Sequence, residues 1–262
     1  MGKFKEYSTF KKTVIILLVL LILIPLITLG YIFFRINSAH VDDNYNSQYQ
    51  KVEGITNILL LGTDGRENEL AYRSDAMMIL TIDSNHNDIK LTSLARDTYV
   101  DIPGHGKGKL NAAYFWGKED LLFKTIEQNF EIGIDKFVQV DFNDLMNIIF
   151  VIGGVDVNIE QREIKSLNEG IPGAFDSCTY GDKGDEPQLI KGAGVHTLNG
   201  YQAIAYARMR YLDNGIYRDQ RQRKIISGMF NGVKDLSMSE YPKLINSLLP
   251  YVSTNVSVSE ML

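Results

Sequence analysis

Between Val14 and Phe34 the chain carries no charge, and Ile, Leu, Val and Phe fill almost every position. No other feature restricts its fold as strongly. As a helix these 21 residues extend about 32 Å at roughly 1.5 Å per residue, close to the roughly 30 Å of a bilayer's hydrocarbon core. The run therefore predicts one membrane-spanning helix. Lys3, Lys5, Lys11 and Lys12 against Glu6 precede it, whereas Arg35 and then Asp42, Asp43 and Glu53 follow. By the positive-inside tendency the N-terminus is cytoplasmic and everything after Arg35 lies outside the cell membrane. A cleaved signal peptide would present a shorter apolar stretch, about 7 to 15 residues, and Asn37-Ser38-Ala39 makes a poor cleavage site. The expected organisation is a cytoplasmic tail over 1–13, a transmembrane signal anchor over 14–34, an extracellular linker over 35–54 and an extracellular domain over 55–262.

Taking the tail and Arg35, together +4, away from the formal −5 of the chain leaves −9 on residues 36–262. An exterior this acidic does not bind nucleic acid through bulk charge, and a tail of about a dozen residues is too short to fold around DNA. Cys178 is the sole cysteine, so no intramolecular disulfide can form and the domain must be held by its core. That thiol is expected to pack.

The exterior segment mixes two periods. Ile58 to Leu61, closed by Gly62, reads as a buried central strand ending in a functional loop. Met77 to Ile82 and Ile89 to Ser93 flank a polar turn and form a hairpin; Phe137 to Val140 and Val155 to Ile159 are two further strands. Asp120 to Phe130 places Leu121, Leu122, Ile126 and Phe130 at helical spacing. Phe142 to Ile152 is a helix capped by Asp141 and closed by Gly153-Gly154. Glu169 to Gly192 is rich in Gly, Asp and Pro and reads as a long surface insertion. Thr197 to Gly200 introduces a helix through about Ala207. Asp219 to Val233 forms another, with Ile225, Ile226, Met229, Phe230 and Val233 inward, and Pro242 to Leu249 a third. The expected fold class is α/β: a central mixed sheet of about five or more strands flanked by helices, preceded by the transmembrane helix.

Four patches hold polar residues that a bare fold does not need. Gly62-Thr63-Asp64-Gly65-Arg66 ends the first strand, and Arg73-Ser74-Asp75 precedes the second. Carboxylates there suit a hard cation such as Mg²⁺, which takes one or two carboxylates with phosphate oxygens and water; they equally suit turns and caps. Ser93-Leu94-Ala95-Arg96-Asp97 follows the hairpin, with Lys109-Leu110-Asn111 beyond a Gly-rich turn. Arg offers phosphate a planar fork and Lys a point charge, although Arg96 and Asp97 also make an ordinary surface pair. Arg208-Met209-Arg210 follows a helix end, so if the segment is extended both guanidinium groups project to one side. Arg218, Arg221 and Gln222 share one face at the start of the next helix, at the positive end of its dipole. Within so acidic a domain, these long donors read as an anion site.

Together with Leu198-Asn199-Gly200, these motifs, in this order after one transmembrane helix, resemble the LytR-CpsA-Psr family of Gram-positive cell-wall proteins. The resemblance runs from about Ile55 to the C-terminus. It implies an extracellular α/β domain that holds a polyprenyl-pyrophosphate-linked glycopolymer, with the lipid in an apolar channel between sheet and helices. By motif, Asp64 and Asp75 would hold Mg²⁺. Arg66, Arg96, Lys109, Asn111, Arg208, Arg210, Arg218, Arg221 and Gln222 would surround the pyrophosphate, and Arg223 stands where the family often has a second Gln. The implied reaction is transfer of a teichoic acid or capsular polysaccharide to a peptidoglycan hydroxyl, with Arg96 at the reacting phosphate and Asp97 or Asp64 accepting the proton. The rivals are a polyprenyl-pyrophosphate phosphohydrolase and a non-catalytic envelope sensor or transcriptional regulator.

Overall fold

The computed structural model describes residues 45, 47–49, 52–63, 74–209, 215–234, 236 and 241–256. The expected anchor over 14–34 lies outside them, and among the described residues no helix is long and apolar enough to cross a membrane. Five strands form a mixed sheet in the order β3-β2-β1-β6-β9. They are β1 (Ile55–Thr63), β2 (Ser74–Asp83), β3 (Asp88–Ser93), β6 (Lys136–Asp141) and β9 (Ser253–Thr254). The central strand β1 runs antiparallel to β2 and parallel to β6, with Leu61 opposite Met77 and Gln139. The hairpin of β2 and β3 forms as expected.

The fifth strand of the sheet is β9, whereas Val155–Ile159, expected to join it, does not. That segment is β7, which pairs with β8 (Gly194–Leu198) in a separate ribbon. Gly153 and Gly154, both at positive φ, redirect the chain before it begins. A second ribbon escaped the sequence reading: β4 (Tyr99–Ile102) and β5 (Gly106–Lys109) pair antiparallel between β3 and the first helix.

Six α-helices lie among the described residues. The first, α1 (Leu110–Phe130), starts ten residues before the expected Asp120 and breaks at Gly117 and Lys118, whose dihedrals are non-helical. The next, α2 (Phe142–Val151), carries the expected Asp141 cap, whose carboxylate accepts from the Asp144 N–H at 2.7 Å. A third, α3 (Ile164–Ser177), takes up the first nine residues of the expected insertion, Glu169 to Ser177, while 178–192 is irregular as expected. Gly170, Pro172 and Gly173 hide its period, but Leu167, Ile171 and Ala174 bury one stripe. The remaining helices are α4 (Gly200–Arg208), α5 (Gly215–Val233) and α6 (Tyr241–Leu248). In α5, Ile225 is buried as expected but Phe230 is exposed.

Two apolar cores result. The first joins Leu59, Leu61, Met77 and Ile79 on one sheet face to β4 and to Leu122, Phe123 and Ile126 of α1. The second lies among α2, α3, α4, α5 and the β7-β8 ribbon, and includes the buried Cys178. Each large side chain so buried contributes roughly 1.5–3 kcal/mol against solvent. The opposite sheet face, with Leu60, Met78, Leu80 and Val138 in register, belongs to neither core, although Met78 and Leu80 are buried. Part of the segment expected to be free linker also packs: the Tyr45 ring stacks on Phe123 at 5.2 Å, and its hydroxyl donates to buried Glu127 at 2.5 Å.

Candidate functional site

The polar motifs gather at the carboxyl ends of the parallel pair β1 and β6, where open α/β sheets hold ligands. One irregularity aims the first of them. Gly62 faces Ala76 but Thr63 faces Ser74, so Asp75 is the extra residue of a β-bulge, a device that redirects a side chain. Gly62 also suits this crossing, since a Cβ there would come within 3.1 Å of the Ala76 methyl. Asp75 accepts a hydrogen bond from Nη1 of Arg96.

Arg96 and Asp97 are the central residues of a tight turn in which the Thr98 N–H and hydroxyl both donate to the Ala95 carbonyl, at 2.9 and 2.7 Å. The start of α1 holds this turn in place. The Leu110 N–H donates to the Thr98 carbonyl at 2.8 Å and the Asn111 N–H to the Arg96 carbonyl at 3.1 Å. Asn111 is buried, so its established contact is this backbone support. Lys109 Nζ donates to Asp97 at 2.7 Å, and Arg96 Nε lies 3.5 Å from the other carboxylate oxygen. The Lys109 hydrogen bond, aided by Arg96 and opposed by partial burial, holds the Asp97 carboxyl below the usual range. A carboxylate so paired is a weak base and a good anchor for Lys109.

Helix α5 closes the other side. Arg223 donates from Nη1 to Ser93 Oγ at 2.6 Å, docking α5 on the end of β3. This tie was not foreseen, since Arg223 stood out in the sequence only as a departure from pattern. Arg218 has Nη2 3.6 Å from Asp219, while its buried Nε has no hydrogen-bond partner among the described residues. Burial pushes the Asp219 carboxyl up, and Arg218, Arg223 and Arg96 oppose it. Asp219 too was missed; its signal is an acid flanked by Arg218 and Arg223. Gln222 is half-buried on the same helix.

Arg208 reaches the site from the β6 side. It is the last residue of α4, helical rather than extended as expected, and the chain leaves the helix at Met209 with ψ 129°. Its exposed guanidinium stacks over Phe142, 4.6 Å from the ring centroid, at the start of α2. Arg221 points elsewhere. It is 2% exposed and faces Glu163 and the Met209 carbonyl. Asp64, Arg66 and Arg210 lie outside the described residues. Leu198-Asn199-Gly200 has a local explanation: Leu198 is core, Asn199 makes a reciprocal capping box with Gln202, and Gly200 crosses α2.

The donor set suits a hard cation. Ser74 Oγ is fully buried with no hydrogen-bond partner among the described residues, one position before Asp75. A hydroxyl and a carboxylate, with phosphate oxygens and water, satisfy Mg²⁺, although no cluster of three His, Cys, Asp or Glu occurs among the described residues. Nearby, burial and then Asp141 push the Asp144 carboxyl up to about 6. Arg96 and Lys109, held by Asp75 and Asp97, and Arg218, which shares the field of Asp219 with Arg96, make a cluster of cations with the chemistry to hold an anionic phosphate ester.

Residues 33–262 match the model of the LytR_cpsA_psr family. The chain is 35% identical over 210 residues to the polyisoprenyl-teichoic acid--peptidoglycan teichoic acid transferase TagU of Enterococcus faecalis, covering 78% of this chain and 62% of that one. It is 30% identical over 209 residues to TagT of Bacillus subtilis, a transferase of the same name, covering 78% and 61%. It thus spans about three fifths of the length of these curated relatives. Among solved structures, TagT bound to LIIa-WTA superposes with a TM-score of 0.67 at 26% identity, over 85% of this chain and 79% of that one. YwtF (TagT) with bound octaprenyl pyrophosphate lipid gives 0.59 at 27% identity, over 80% and 81%.

Proposed function

The chain belongs to the LytR-CpsA-Psr family, and on that premise we propose that it is a membrane-anchored phosphotransferase. It moves an anionic glycopolymer of the teichoic acid or capsular type from a polyprenyl-pyrophosphate carrier to a peptidoglycan hydroxyl. The N-terminus is cytoplasmic, the apolar run over 14–34 is the anchor, and the domain works outside the membrane beside its lipid-linked donor, where tethering raises effective concentration.

The observation that carries this reading is the pairing of a cationic cluster with an apolar sheet face that belongs to neither core. Arg96, Lys109 and Arg218 belong to the polar cluster at the carboxyl end of β1, and Leu60, Met78, Leu80 and Val138 form an apolar face, with Met78 and Leu80 buried, that joins neither core among the described residues. Ser93, which Arg223 binds, lies opposite Met78 in register, so α5 covers this same face. A ligand with a diphosphate head and a prenyl tail fits both. The tail lies between sheet and helices, and the head meets the arginines.

In the reaction, the acceptor oxygen attacks the phosphorus that bears the glycopolymer. A new P–O bond forms, the bond to the bridging oxygen breaks, and polyprenyl phosphate leaves with the electron pair. Negative charge grows on that leaving group, and fixed guanidinium groups stabilise it without reorganising. Arg96, held by Asp75 and by its turn, serves the reacting phosphates, with Lys109 placed by Asp97. Arg208 and Arg218 bind from the flanks. Asp97, whose carboxyl Lys109 holds below the usual range, is a weak base, so the hydroxyl proton is assigned to Asp64. When bound, Mg²⁺ supplies further charge neutralisation; Asp75 and the Ser74 hydroxyl, with Asp64, would hold it.

The test is reconstitution of the full chain with a radiolabelled polyprenyl-pyrophosphate-linked teichoic acid precursor, Mg²⁺ and uncrosslinked peptidoglycan. Label should become covalently attached to peptidoglycan with wild type and not with Asp75→Ala. Release of free polymer with no attachment would establish a phosphohydrolase instead, and donor binding without turnover of any kind would leave a sensor.

A further inference from the structure

A buried polar network behind the site is assigned no part by the family match or by the proposed reaction. Glu163 precedes α3, Tyr206 sits on α4 and Arg221 on α5; all three are under 5% exposed. Arg221 Nη2 donates to the Met209 carbonyl at 3.0 Å, and Nη1 lies 3.8 Å from Glu163 Oε1. Glu163 Oε2 accepts from the Glu160 N–H at 3.0 Å and faces the Tyr206 hydroxyl at 3.5 Å.

We propose that Glu163 and Arg221 form a clamp that sets the position of Arg208 by holding the main chain at Met209. The inference rests on the reading of Arg208 as a pyrophosphate ligand. Carbonyls at a helix C-terminus lack helical partners, and that of Met209 lies where the chain turns out of α4. A guanidinium on this oxygen fixes the turn. The Met209 side chain is itself buried in the second core, so the residue is pinned at both ends while the adjacent Arg208 side chain stays exposed. Arg221 cannot easily serve the pyrophosphate as well: leaving Glu163 would strand a buried carboxylate without its counter-charge. Glu163 and Arg221 are therefore positioning residues.

The test uses the full chain in detergent, with Glu163→Gln, Arg221→Lys and, as a control, Arg162→Gln, which removes an exposed cation from the same loop. The ligand-free readout is amide hydrogen exchange in peptides covering Ala205 to Met209. The binding readouts are calorimetric affinities for geranylgeranyl pyrophosphate and for geranylgeraniol. Both clamp variants should speed exchange across Ala205 to Met209 and weaken pyrophosphate binding about 10-fold or more, the usual scale for loss of a supporting partner. The alcohol should bind as to wild type, and the control should change nothing. Unaltered exchange in Glu163→Gln would overturn the clamp. So would tighter pyrophosphate binding by that variant, because a freed Arg221 acting as a direct ligand predicts that sign. If Arg221→Lys does not fold, Glu163→Gln, which keeps shape and an acceptor, decides alone. Should wild type bind no pyrophosphate, the functional reading fails, while the exchange result still decides the clamp.

Discussion

Arg208→Ala separates a binding arginine from a structural one, because the structure gives the two roles different magnitudes. The guanidinium is exposed and lies over Phe142 at 4.6 Å. An exposed cation–π contact is worth about 0.5–1 kcal/mol, and a cation in the last helical turn about 0.3–1 kcal/mol, so the stability cost is about 1–2 kcal/mol. In a domain of this size each kcal/mol lowers Tm by about 2–4 °C, giving a fall of roughly 2–8 °C. Loss of a charge-assisted contact to a desolvated pyrophosphate costs about 2–5 kcal/mol, or roughly 30-fold to several-thousand-fold in Kd. The assay is calorimetric titration with geranylgeranyl pyrophosphate at fixed salt, alongside thermal melting of the same samples. Arg208→Lys should fall between, since it keeps charge and loses the planar fork. Wild-type affinity for Arg208→Ala, whatever its Tm, would refute the placement of this residue in the site.

Asp75→Ala should reduce polymer transfer at least 100-fold, on the order of losing a main electrostatic element, and cost only about 1 kcal/mol of stability, because the pair with Arg96 is partly solvated. Unchanged transfer across a Mg²⁺ titration would remove both the metal and the positioning role. The Asp144 carboxyl, pushed up to about 6 by burial and then by Asp141, makes the folded state retain a proton that the unfolded chain releases near pH 4. Stability is therefore lost as pH rises from about 4 to 6 and stays lost above. Asp144→Asn should gain about 1 kcal/mol at pH 8, discounted for partial exposure, and nothing below pH 4; a gain independent of pH in thermal melts would contradict this. In Gly200→Ala the new Cβ would lie 2.3 Å from the Met146 carbonyl and 2.6 Å from the Phe150 ring. Overpacking should destabilise by about 1–3 kcal/mol, visible as a lower urea midpoint with ligand affinity per folded molecule unchanged.

Local pattern carried much of the architecture. The strand around Ile58 to Leu61, the hairpin after Met77, and the helix from the Asp141 cap to Gly153-Gly154 all follow from short-range rules and form, although β1 runs on through Gly62 to Thr63. Segments whose chemistry is locally ambiguous were misread. Gly170, Pro172 and Gly173 look like loop until Leu167, Ile171 and Ala174 find the second core to bury in. The ribbon of β4 and β5 is four residues a side and rich in glycine, too short to show a period.

What the sequence by itself determined is which residues are charged, which are greasy and in what order they come, and this suffices for the family. What tertiary structure alone decided is how each charge is used. Asp75 reaches Arg96 because a bulge turns it, and Lys109 meets Asp97 because β5 folds back beside the turn. Arg218 and Arg221, three residues apart on one helix, part company: Arg218 keeps Nε without a partner among the described residues, while Arg221 is buried against Glu163. The physical reason is that the field at a side chain depends on neighbours distant in sequence. The 57 positions between Glu163 and Arg221 carry no local mark of the contact that buries one arginine against a carboxylate and leaves the other's Nε without a partner among the described residues.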